Sequence, residues 1–213
     1  MKNLGNVFIL GDSYSTFKGY IPEGYCSFYS PDLHLNIGVI SVEQTWWHQV
    51  LQNTNSNLTL NSSYSGTTIC HTGYGGEDCS QTKSFIFRLN KLIDQDFFKS
   101  NKIDTFFIFG GTNDTWANSP LGKIKYENRS QEDLFSVMPA FCHLIETVKT
   151  VCPDTRIITI ANDILKPAII DCFKEVTNHF GTELIILQNI AKQEGHPDVM
   201  GMKQISEQVL EKL

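Results

Sequence analysis

The sequence contains no apolar run approaching the roughly 18 residues that a membrane-spanning helix requires, so no transmembrane segment is expected. It also has no basic surplus. Seventeen Lys and Arg stand against 23 Asp and Glu, for a formal net charge of −6. Nucleic-acid binders draw much of their affinity from neutralising phosphates, so that class is disfavoured. A CxxC pair is lacking. The six cysteines are Cys26, Cys70, Cys79, Cys142, Cys152 and Cys172, and Cys70-His71 with Cys79 is the nearest approach to a zinc pattern, with the wrong spacing. Neither a metal nor a cofactor is expected. An even cysteine count permits disulfides, but the chain is long for a disulfide scaffold. Internal repeats and low-complexity tracts are missing. The stretch GYGGED (73–78) lacks the lysine of a Walker loop. A recognisable secretory signal is missing too: the apolar run of MKNLGNVFIL leads straight into Gly11-Asp12-Ser13 and reads as a first strand. A cytoplasmic protein is the simplest expectation, although a chain whose signal had already been removed would read the same.

What remains is ordinary globular composition. The 213 residues are 41% hydrophobic, which suits one core and a single α/β domain over 1–213. Strand-like runs fall at 7–10, 58–61, 105–109, 156–161 and 183–187. TFFIF, RIITIA and ELIIL are nearly continuous apolar stretches, as strands buried on both faces require. Helix-like segments lie between them. The first, 41–51, opens with Ser41 and Gln44 at capping-box spacing. The others are 84–99, 130–151 with Ser130 as cap, 166–180 stopped by Gly181, and 197–213. This alternation predicts a three-layer α/β/α sandwich on a flavodoxin-like parallel sheet of about five strands. Trp46 and Trp47 fall in the first helix, and at least one should be core. Two long loops, 18–40 and 66–82, are candidates for binding walls.

Ligands of such sheets bind at the carboxyl ends of the strands, and Ser13, Ser63 and Asn113 all fall just beyond predicted strand ends. A serine hydroxyl becomes a nucleophile when a base takes its proton and donors hold the resulting oxyanion. His196, in EGHPDVMGM, is the candidate base. His34, His48, His71, His143 and His179 sit in no comparable context. Asn113, after Gly110-Gly111-Thr112, can aim its amide into the cleft, and the Ser13 and Ser63 backbone N–H groups are the other candidate donors. Asp12 reads as an organiser of the loop rather than a reacting group.

These segments resemble the SGNH hydrolases, the GDSL-type esterases. Gly11-Asp12-Ser13 matches the family's first block, Gly111-Thr112-Asn113-Asp114 its third, and His196-Pro197 its fifth, in order and over nearly the full chain. The resemblance implies Ser13 as nucleophile, His196 as general base, and Ser13, Ser63 and Asn113 as the oxyanion hole. The implied substrate is a carboxylic ester, a short acyl group on a carbohydrate being one candidate, and no cofactor is implied. Tyr14, Tyr74 and Trp116 are candidate substrate contacts. Two departures stand out. Ser63 occupies the place assigned to the second-block glycine, and Gln193 stands where the family has an acid three residues before the histidine. A Ser–His dyad is therefore expected. A thioesterase or lysophospholipase on the same machinery, or a non-catalytic binding module, are the competing readings.

Overall fold

The computed structural model describes residues 3–32 and 37–213. Five parallel strands form the central sheet: β1 (Asn6–Gly11), β2 (Asn57–Ser63), β3 (Thr105–Phe109), β4 (Arg156–Ala161) and β5 (Glu183–Ile186), in the order β2-β1-β3-β4-β5. Side chains alternate between its faces. Phe8, Leu10, Phe106, Ile108 and Ile157 pack into one core. Val7, Ile9, Phe107, Phe109, Ile158 and Ile160 pack into another. Burial on both faces explains why these strands read as unbroken apolar runs, each large side chain contributing about 1.5–3 kcal/mol by leaving water.

The connecting segments supply the two outer layers. Helices α2 (Phe85–Asp94), α5 (Val137–Val151) and α6 (Pro167–Phe180) cover the first core, and α1 (Trp46–Thr54) and α7 (Val199–Lys212) cover the second. Two short helices, α3 (Phe97–Ser100) and α4 (Thr112–Trp116), and a small hairpin of β6 (Lys192–Gln193) with β7 (His196–Pro197) complete the fold. The expected three-layer α/β/α arrangement is thus the observed one, and both Trp46 and Trp47 are core. No described helix is long and apolar enough to cross a membrane.

Helix boundaries differ from expectation for local reasons. The Ser41–Gln44 capping box exists, but it closes a single 3-10 turn (Val42–Gln44); Thr45 then caps α1, its hydroxyl accepting from the His48 N–H. Segment 84–99 breaks where Asp96 takes a left-handed conformation at φ 55°, which separates α2 from α3. Ser130 caps no long helix. Pro139 lacks an amide hydrogen and is tolerated only in a first turn, so α5 starts at Val137. Pro197 belongs to the hairpin, and Asp198 caps α7 through the Gly201 N–H at 2.8 Å. Gly181 ends α6 at φ 63°, as a C-terminal glycine should. His34, within the 18–40 loop, lies outside the described residues.

The topology positions the site. The chain runs from β1 outward to β2 and then returns across β1 to β3. The order in which the chain adds strands therefore reverses between β1 and β3, and a crevice opens beyond their carboxyl ends. Ser13 follows β1 and Asn113 follows β3.

Candidate active site

Gly11 ends β1 opposite Ser63 and Phe109. A Cβ there would lie 2.5 Å from the Ser63 Oγ and 2.8 Å from the Ser15 Cβ, so only glycine lets the chain turn at this point. The next residues form a 3-10 turn, Ser13–Ser15, capped by Asp12, whose Oδ1 accepts the Tyr14 N–H at 3.0 Å. Asp12 is thus an organiser of the turn. Its carboxyl is fully buried, and burial pushes its pKa up to about 7. Thr16 Oγ1 donates to the Ser13 carbonyl at 2.9 Å, and Asn61 Nδ2 donates to the Ser15 carbonyl at 2.8 Å. The turn carrying Ser13 is held from several sides.

His196 arrives from 183 residues away, and its Nε2 stands 3.0 Å from the Ser13 Oγ. Its Nδ1 lies 3.2 Å from the backbone carbonyl of Glu194. A carbonyl only accepts, so the Nδ1 carries the proton and the Nε2 lone pair faces the hydroxyl. No carboxylate is bonded to this ring among the described residues. Gln193 and Glu194 are exposed on the hairpin, and Asp198 is committed to capping α7. Burial holds the His196 pKa below its ordinary value.

Asn113 sits in the first turn of α4, which follows Gly111 at φ 92°, a backbone conformation that favours glycine. Its Nδ2 donates to the Thr67 carbonyl at 3.0 Å, and its Oδ1 accepts from the Tyr74 hydroxyl at 2.8 Å. Both ends of the amide are fixed, and one N–H remains to be aimed elsewhere. Asp114 is buried one residue on. It accepts from the Ile69 and Cys70 backbone N–H groups at 3.0–3.3 Å and ties the 66–82 loop to α4. Burial raises its pKa to about 6.

Two expected contacts fall elsewhere. The Tyr64 N–H donates to the Gly11 carbonyl at 3.1 Å, so strand alternation turns the Ser63 N–H toward the outer edge of the sheet, away from Ser13. Ser63 instead donates to the Asn61 Oδ1 at 2.5 Å and steadies the residue that holds Ser15. The backbone beside the Asn113 amide is that of Gly66 and Thr67, where Gly66 adopts φ 76° with open space at its Cα. Tyr14 is no pocket wall. Its ring is fully buried and its hydroxyl donates to the Gly195 carbonyl at 2.5 Å, which anchors the histidine hairpin. Tyr74 and Trp116 do flank the site. They are 44% and 38% exposed, and the Trp116 ring centre lies 5.6 Å from that of His196.

Sequence reading missed two residues. Arg88 is fully buried on α2 and donates to the Ser62 carbonyl, to the Gly11 carbonyl at 3.0 Å and to the Thr67 Oγ1 at 3.2 Å. It staples the end of β1 to the loop that carries Gly66. Its signal was present: a charged residue on the apolar face that Phe85, Ile86 and Leu89 define. Phe28 stacks on His196, with ring centres 3.5 Å apart and planes 8° from parallel. Apart from the aromatic content of its loop, nothing in the sequence pointed to it.

A switch-point crevice that places a serine and an oriented side-chain amide beyond the ends of β1 and β3, with an imidazole brought to the serine by a hairpin, defines a hydrolase of the SGNH class. The family model for GDSL-like lipase/acylhydrolase matches residues 5–213, and the chain belongs to that family. It is an enzyme of ester hydrolysis. Two solved structures described as GDSL-like lipases resemble it over nearly their whole length. The one from Bacteroides ovatus is 40% identical, with 99% of this chain and 98% of that one covered and a TM-score of 0.91. The one from Bacteroides uniformis is 41% identical, with 98% and 95% covered and a TM-score of 0.90. A carbohydrate acetylesterase from Sinorhizobium meliloti shares the fold at 15% identity, with 98% and 97% covered and a TM-score of 0.61. No curated protein matches the chain.

Proposed function

We propose that the protein removes short acyl groups, acetyl above all, from carbohydrate esters through an acyl-enzyme on Ser13. The observation that carries this reading is the 3.0 Å contact between the Ser13 hydroxyl and the His196 Nε2, with the tautomer set from the far side by a carbonyl. His196 takes the hydroxyl proton while the Ser13 Oγ bonds to the ester carbon. The negative charge that develops on the carbonyl oxygen is met by the Asn113 amide and by backbone N–H groups of Ser13 and Gly66, the last in place of Ser63. As the intermediate collapses, the bond to the alcohol oxygen breaks and His196 returns its proton to that oxygen. Water then repeats the sequence on the acyl-enzyme, giving the acid and free Ser13.

The carbohydrate part rests on the flanks of the site. Trp116 and Tyr74 offer half-exposed ring faces beside the reacting pair, and sugar rings bind such faces through their C–H surfaces. The carbohydrate acetylesterase that shares this fold supports the same choice. The test pairs labelling with a substrate panel. A fluorophosphonate should modify Ser13, located by mass spectrometry, and Ser13→Ala should lower kcat by 10³ or more. Acetylated sugars should be cleaved faster than thioesters or long-chain lysophospholipids. An adduct on another serine, or full activity in Ser13→Ala, would overturn the mechanism; a preference for thioesters or lysophospholipids would overturn the substrate class.

A further inference from the structure

His196 works without the acid that usually stabilises an imidazolium. A backbone carbonyl fixes the tautomer, but a neutral acceptor opposes the positive charge less than a carboxylate would. The titratable groups nearest the ring are otherwise committed. The Tyr14 hydroxyl binds the Gly195 carbonyl, the Tyr29 hydroxyl binds the Pro197 carbonyl at 2.9 Å, and Asp198 binds the Gly201 N–H. Glu194 is exposed, bonds the ring only through its main-chain carbonyl, and its carboxylate adds a through-space, solvent-screened charge. What does lie against the imidazole is aromatic: Phe28 at 3.5 Å and 8°, with Tyr14 at 5.5 Å and Trp116 at 5.6 Å between ring centres.

Phe28 is held there from two directions. The Thr16 Oγ1, which donates to the Ser13 carbonyl, accepts the Phe28 N–H at 2.9 Å. Tyr29, whose ring meets Phe28 edge-to-face at 4.9 Å, binds the carbonyl of Pro197, the residue after the histidine. The loop is thus pinned both to the nucleophile turn and to the histidine hairpin. An aromatic face carries the negative part of its quadrupole, and a cation above it is attracted, most strongly out of water.

We propose that Phe28 is a positioning residue that stabilises the His196 imidazolium through its ring face and so does part of the work of the missing acid. The proposal rests on the reading of His196 as the base for Ser13. The neutral imidazole gains less from the face than the cation does, so the contact favours the state formed as the serine proton is taken.

The test uses the intact protein and reads the His196 pKa by NMR titration, with the resonance assigned by its loss in His196→Asn. Phe28→Leu keeps an apolar wall and removes the ring face. A para-fluoro, trifluoro and pentafluoro phenylalanine series at position 28 keeps the shape and weakens the quadrupole stepwise, so the test holds even where the leucine variant folds poorly. The pKa should fall by about 0.4–1.5 units in Phe28→Leu and stepwise along the series. The kcat on an aryl acetate should fall roughly two- to thirtyfold with KM little changed. Phe28→Tyr should retain both values. A pKa that stays fixed or rises would overturn the proposal, because a ring that merely excludes water depresses the pKa and its loss would let it climb. Ser13 labelling reports separately on the proposed function: a labelled Ser13 with an unmoved pKa sinks the role of Phe28 alone, and a falling pKa without labelling leaves the ring contact standing and removes the hydrolytic reading.

Discussion

Replacing Tyr74 by phenylalanine removes one hydroxyl, and the structure says where the effect should appear. That hydroxyl donates to the Asn113 Oδ1 at 2.8 Å, while the other end of the amide donates to Thr67. Asn113 is itself only 2% exposed, so its oxygen stays largely shut off from water when the hydroxyl goes. The loss is therefore that of a hydrogen bond that leaves a buried neutral acceptor unpaired, about 1–3 kcal/mol. Expressed in the orientation of the donor amide, that is about five- to 150-fold in kcat. Removing the donor itself in Asn113→Ala should cost about 10²–10³. The two effects should not add. In the Asn113→Ala background Tyr74→Phe has nothing left to orient and should cost less than about twofold, a coupling of about 1–3 kcal/mol. Steady-state kinetics on an aryl acetate for the four proteins gives the answer. Equal losses in both backgrounds would refute the hydrogen-bond argument, and an effect confined to KM would make Tyr74 a plain substrate contact.

The pH dependence follows from His196. A base must be neutral, so kcat/KM should rise with pH through its titration, and burial places that midpoint below 6.5; a midpoint clearly above 6.5 would mean an acid acts on the ring. Glu194→Ala should cost less than about tenfold in kcat, because its carboxylate makes no hydrogen bond to the imidazole and acts on it only through space, whereas loss of a true triad acid costs on the order of 10⁴. Asp198→Ala should leave kcat within the same limit but lower stability by about 1 kcal/mol, measured by urea denaturation, as a lost helix cap does. Asp12→Asn should stabilise the protein more at pH 8 than at pH 5. The folded pKa of about 7 lies above the ordinary 3.8, so the folded state gains from protonation at low pH and loses that gain as pH rises through about 7. The neutral amide avoids that loss, worth up to about 4 kcal/mol, and still accepts the Tyr14 N–H; thermal melts at the two pH values should show a larger gain at pH 8.

The layers were legible in the chain because burial on both faces leaves a local mark. A strand such as TFFIF has no solvent side and so no polar alternation, and three such strands, flanked by the partly exposed β2 and β5 and separated by helical periods, leave few architectures open. Ser13 and Asn113 were legible for a related reason, each coming just after a strand of the sheet, where short turn motifs set the geometry; His196 was legible from its place just before the last helix. Segment 130–151 shows the limit of local marks, since its serine signalled a cap while Pro139 decided where the helix began.

The rest required the tertiary structure. Which way the Ser63 N–H points depends on the register of β2 against β1, and a shift of one residue reverses the direction of every N–H along the strand. Tyr14 looked like a pocket residue until a hairpin 181 residues away closed over its hydroxyl. Arg88 has no acidic partner in its own helix, and its bonds run to carbonyls that come together only when β1, β2 and the 66–82 loop meet. Phe28 lies in a loop with no period at all, so its place on His196 is decided by the two anchors that fold the loop back. Local patterns encode how deeply a segment is buried. Which loop touches which is decided by closing the sheet, and the chemistry of this site lies between loops.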